Sequence, residues 1–117
     1  VICHIVKRSE WTLAVARGTY APADLRAEGY IHCSTIAQVI DTANRFYRGK
    51  DDLVVLHIDE SRLRAEVKYE APTMDHGESA RELFPHLYGE LNADAVVRVV
   101  ELPCEVDGSF QLPDGLR

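Results

Sequence analysis

Several things are scarce in this chain, and each absence narrows what it can be. No apolar run approaches the roughly 20 residues that span a bilayer, so no membrane segment is expected. Cysteine occurs three times, at Cys3, Cys33 and Cys104, with no CxxC pair. That pattern argues against a disulfide framework and for reduced thiols in a cytoplasmic setting. Basic residues are outnumbered 13 to 19 by acidic ones, and the net charge of −6 argues against general nucleic-acid or anionic-membrane binding. There is no P-loop, GxGxxG or GxSxG motif, and no HExxH or HxxxH spacing. Adjacent Cys and His in a strand point to opposite faces, so neither Cys3-His4 nor His32-Cys33 chelates as a simple pair; no metal site is expected. No basic stretch precedes the opening strand, so no signal peptide is expected.

What is present is ordinary globular material: 117 residues, 46% hydrophobic and 27% charged, enough for one core. A single domain over residues 1–117 is expected, since no repeat or linker divides the chain. Residues 2–6 read as a strand. Ser9 can cap a helix over about 10–17 that Gly18 ends. Pro22 starts a short helical turn that Gly29 stops, and 30–33 form a short strand. The clearest helix runs over about 35–48, with Ile36, Val39, Ile40, Ala43, Phe46 and Tyr47 on one face and Gly49 at its end. The β-branched run 53–58 reads as a buried strand, 66–70 as a partner strand, and about 95–102 as another. Residues 72–82 read as a mobile loop, and 105–117 as a loosely packed tail with room for one edge strand. Helices and strands do not alternate strictly, so the fold class is α+β with mixed or antiparallel sheets.

The chemistry concentrates in three short motifs. Strand alternation puts His4 on one face with Ile2 and Val6, and Cys3 with Ile5 on the other. It likewise groups Tyr30, His32 and Ser34 against Ile31 and Cys33. If these strands are neighbours, His4 and His32 line one surface. Ser34 precedes a helix start, whose free N–H groups attract phosphate or carboxylate, although a plain capping residue gives the same sequence. The third motif, 84–89, carries His86 and Tyr88 between Pro85 and Gly89 and suits a rigid site wall. His4, His32 and His86 are therefore expected around one cleft. Glu70 and Glu90 are the carboxylates near a motif, and either suits a catalytic role. His57 reads as structural, and His76 lies in the loop.

The set Cys3-His4-Ile5, Gly29-Tyr30-Ile31-His32-Cys33-Ser34, Gln38, Ala43-Asn44-Arg45-Phe46-Tyr47 and Phe84-Pro85-His86-Leu87-Tyr88-Gly89 resembles the bacterial domain-of-unknown-function family number 952. The resemblance runs from Ile2 to about Leu102. It implies a compact ADP-ribosyltransferase-like fold, with two small sheets split around a cleft that takes NAD in active relatives. It also implies a ribose-positioning role for His4, an aromatic contact from Tyr30, Tyr47 or Tyr88, and a late glutamate. The leading functional expectation is an ADP-ribosyltransferase-like enzyme using His4, His32, His86 and Glu70, with Tyr30, Ser34, Tyr47 and Tyr88 as ligand contacts. NAD, or an ADP-ribosyl or 2′-phosphate compound, would be its substrate, with no tightly bound cofactor. The alternatives are a non-catalytic nucleotide or small-ligand module, and a histidine acid/base enzyme on another metabolite.

Overall fold

In the computed structural model the described residues are 1–72 and 82–116, and they form three small antiparallel sheets and three helices. The chain opens with β1 (Ile2–Lys7) and α1 (Arg8–Arg17), followed by β2 (Thr19–Tyr20) and α2 (Ala23–Glu28). Next come β3 (Ile31–His32), α3 (Ile36–Phe46), β4 (Leu53–Ile58) and β5 (Glu66–Glu70). β6 (Phe84–Tyr88), β7 (Leu91–Asn92) and β8 (Val96–Leu102) complete the strands. No helix among the described residues is long and apolar enough to cross a membrane.

The sheet orders are β1-β4-β8, β2-β7 and β3-β6-β5, with every described pairing antiparallel. Strands β1 and β4 of the first sheet are buried on both faces, which is why β4 reads as an apolar run broken only by His57, whereas β8 is largely exposed. Ile2, Val6, Val54, Leu56 and Ile58 meet Trp11 of α1 and Ile31 and Leu87 of the third sheet. Cys3, Ile5, Leu53 and Val55 meet Val39 and Ala43 of α3. The expected alternation of Cys3 and Ile5 against Ile2 and Val6 is what divides β1 between these two clusters.

Several expected boundaries move. Helix α1 starts at Arg8, with Lys7 rather than Ser9 at its N-cap position, because β1 runs straight into it. Helix α3 ends at Phe46, one turn short of Gly49, with Tyr47 as its C-cap residue. Its start is as expected, with Thr35 and Gln38 forming a capping box. β5 does not join β4. It pairs with β6, because β4 already has β1 on one side and β8 on the other. Residues 84–88 of the third motif form the central strand of the third sheet. Pro85 contributes to the pairing as an acceptor, its carbonyl taking Cys33 N–H at 3.1 Å.

The last residues do not form a strand among those described, and they are not loosely attached. Phe110 and Leu116 are 3% exposed and pack on the α3 side of the first sheet. Most of the expected 72–82 loop, including His76, lies outside the described residues.

Candidate active site

Two backbone hydrogen bonds set the site. Cys3 N–H donates to Ser34 O at 2.6 Å, and Ser34 N–H donates to Cys3 O at 2.8 Å. One residue earlier, Cys33 is bonded to β6. The segment 31–34 therefore crosses from the third sheet to the first, and a cavity opens beside the crossing. His4, His32, Ser34 and His86 all line it, with Asp24, Thr42 and Tyr47. The expected convergence of the three histidines, with Ser34 beside them, is thus found. The space is about 60 Å³, room for a handful of water-sized atoms.

His4 is 8% exposed, and burial lowers its pKa to about 4. It is neutral at physiological pH, and both ring nitrogens are engaged. Nδ1–H donates to His32 O at 2.6 Å, so Nε2 carries the lone pair and accepts from Tyr20 OH at 3.3 Å. His4 thereby holds the backbone of the second histidine.

His32 and His86 are arranged differently. Each gives one N–H to a carboxylate: His32 Nε2–H to Glu28, and His86 Nδ1–H to Glu70 at 3.0 Å. Their neutral forms are therefore opposite tautomers. The remaining nitrogens, Nδ1 of His32 and Nε2 of His86, have no hydrogen-bond partner among the described residues. The two rings stand edge to face with centroids 5.6 Å apart. A carboxylate behind each imidazole fixes its tautomer and leaves one ring nitrogen for proton transfer, which is the arrangement of a general acid/base group.

Glu70 is not on the cavity wall. It sits behind His86 and also accepts from Tyr88 OH at 2.5 Å. The Tyr88 and His86 hydrogen bonds hold its carboxyl below the usual range, and the same contact pushes the Tyr88 hydroxyl up to about 12. Glu90, the other candidate carboxylate, is elsewhere, accepting from Thr19 on the β2-β7 side. Of the four expected ligand contacts, Ser34 and Tyr47 line the cavity, whereas Tyr30 and Tyr88 do not. Tyr30 instead stacks on His86 with centroids 4.1 Å apart and planes 15° apart.

At the α3 N-terminus the capping residue is Thr35 rather than Ser34. Thr35 caps Gln38 N–H, Gln38 Oε1 accepts from Thr35 N–H at 3.0 Å, and Ser34 Oγ lies 3.3 Å from Thr42 Oγ1. Both early thiols also line the cavity, and burial raises their pKa values, Cys3 to about 11 and Cys33 further, which disfavours the thiolate. All three cysteines are free. No cluster of metal-binding side chains occurs among the described residues. Sequence reading missed Glu28, Tyr20 and Asp24. Glu28 was findable, since it lies four residues before His32, but α2 ends between them. Tyr20 and Asp24 carry no local pattern.

Comparison with known proteins places this arrangement in a class whose chemistry is undefined. Residues 5–99 match the family described as "Protein of unknown function (DUF952)", and the chain belongs to that family. It is similar to the crystal structure of protein CC0527 from Caulobacter crescentus, at 35% identity and TM-score 0.84 over 98% of this chain and 96% of that one. The solution NMR structure of CC0527 gives 35% identity and TM-score 0.80 over 97% and 94%. A double-methionine variant of CC0527 gives 34% and 0.83 over 98% and 96%. No curated protein matches the chain.

Proposed function

We propose that this cleft is the active site of a transferase-type enzyme that breaks a ribosyl bond, acting on NAD or on an ADP-ribosyl or 2′-phosphate substrate. The observation that carries the reading is the pair of carboxylate-backed imidazoles, Glu28–His32 and Glu70–His86, on one cavity where two sheets meet. A ribosyl bond breaks through an oxocarbenium-like state, so positive charge grows on the sugar. Asp24 on the wall and the carboxylates behind His32 and His86 favour that charge. The free nitrogen of His86 takes the proton of the incoming acceptor, and His32 exchanges a proton with a ribose hydroxyl or the leaving group. Ser34 and Tyr47 contact the ligand. His4 acts through the His32 carbonyl that it holds, and Glu70 acts through His86. NAD is consumed as substrate, and the residues call for no resident cofactor.

A second reading is favoured by one observation: both nitrogens of His4 are already engaged, so it offers no free group to a ribose hydroxyl. In that reading His32 and His86 perform acid/base chemistry on another small metabolite. A thermal-shift screen with NAD, ADP-ribose, AMP and divalent metals separates the cases, followed by chromatographic assay for released nicotinamide. Nicotinamide release that His86→Asn abolishes is the expected result. Binding without turnover would leave a nucleotide-binding module. No shift with any nucleotide at millimolar concentration would remove the ribosyl reading and leave the second.

A further inference from the structure

In the third sheet, His86 is held from more than one side. His86 is 2% exposed. Tyr30, itself 6% exposed, lies parallel to its ring, 4.1 Å away. Glu70 Oε1 takes the His86 Nδ1 proton at 3.0 Å, and the same oxygen takes the Tyr88 hydroxyl proton at 2.5 Å. Tyr88 is in turn capped by the Lys68 ammonium, 4.8 Å from its ring centroid. Neither Tyr30 nor Tyr88 lines the cavity.

We propose that Tyr30 and Tyr88 are positioning residues for His86, which together fix its ring plane and its Nδ1–H tautomer so that the Nε2 lone pair serves the cavity. The inference rests on the reading of His86 as the acid/base group, and it reassigns both tyrosines away from ligand contact. The two constraints are different in kind. An imidazole held only by stacking can still flip by 180° about its terminal torsion, because the flipped ring occupies the same plane. An imidazole held only by one hydrogen bond can still rock out of plane. Tyr30 removes the second freedom. Glu70 removes the first, because only Nδ1 then meets the carboxylate. Tyr88 keeps the Glu70 oxygen in place by donating its hydroxyl proton to it. A supported second partner of this kind is what keeps a reactive imidazole within the narrow angular range that proton transfer demands.

The test reads the tautomer directly, by the ¹⁵N shifts of the His86 imidazole in the full chain at pH 7.5, without ligand. The wild type is expected to show one protonated nitrogen, Nδ1, and one lone-pair nitrogen, Nε2. Tyr88→Phe removes a single hydroxyl, and both shifts should move toward the averaged value of a free imidazole. Tyr30→Phe keeps the ring and should leave them unchanged, whereas Tyr30→Leu should broaden or average them. An unchanged His86 signature in a folded Tyr88→Phe protein would overturn the proposal. So would a Tyr88→Phe protein that loses affinity for ADP-ribose while His86 keeps its tautomer, since that result makes Tyr88 a ligand contact. Because the measurement needs no substrate, a tautomer shift in a protein that binds no nucleotide would remove the ribosyl reading and leave the role of the tyrosines standing.

Discussion

Burial makes His4 a stability determinant with a definite pH signature. Its folded-state pKa of about 4 lies below the ordinary value of 6.5, so the unfolded chain binds the extra proton between those values. Stability is therefore complete above about pH 6.5 and falls as pH drops toward 4, by on the order of 3 kcal/mol from this residue. Urea denaturation from pH 7.5 to 4.5 should show that loss, and a His4→Gln protein should show a shallower one. Glu70 acts at lower pH. Its carboxyl is depressed, so its contribution is present above the ordinary carboxylate value and disappears as acid protonates it. The thiols give a second residue-scale prediction. Cys3 and Cys33 are buried with raised pKa values, whereas Cys104 is only half-buried. A thiol reagent at pH 8 should titrate Cys104 in the native protein, and the other two only after unfolding.

At the scale of elements, the structure is most sensitive at joints. Helix α3 begins on the Thr35–Gln38 capping box, and Gln38 Nε2 also donates to Leu83 O at 3.0 Å, tying the helix start to the approach of β6. Thr35→Ala should cost about 1 kcal/mol and lower the melting temperature by a few degrees. Gly89, just beyond β6, is a sharper case. Its φ is +155°, and a Cβ there would lie 2.7 Å from the Ala65 side chain. Gly89→Ala should cost on the order of 1 to 3 kcal/mol in a denaturant titration, through strain and overpacking together. If the loss is below 0.5 kcal/mol as an order of magnitude, the turn from β6 into β7 is less constrained than its geometry indicates. The α3 helix and β4 were readable from sequence because each declares itself locally, by a 3.6-residue apolar period and by a β-branched run. The two-residue strands β2 and β7 were not, because only their mutual pairing, Thr19 with Asn92 and Tyr20 with Leu91, makes them strands.

Across the whole molecule, the tail is part of the core. Phe110 packs against the α3 side of the first sheet, Asn44 Oδ1 accepts from Phe110 N–H at 2.7 Å, and Asn44 Nδ2 donates back to Phe110 O at 3.2 Å. Phe110→Ala should therefore cost about 3–5 kcal/mol, a large share of the 5–15 kcal/mol that holds a domain of this kind together. Limited proteolysis should spare residues 105–116 in the wild type and cut there in the variant. The sequence by itself determined the α+β class, the main helix, the long strands and the three histidine motifs. Each of these rests on spacing within a few residues, and the parity of residues 3 to 6 already separated His4 from Cys3. Only tertiary structure decided that β5 pairs with β6, that Glu70 rather than Glu90 stands behind His86, and that Tyr30 stacks on an imidazole. Those facts join residues 14 to 56 positions apart in the chain. Periodicity carries no information over such separations, because chain direction after each turn is settled by which buried faces fit, not by the residues of the turn alone.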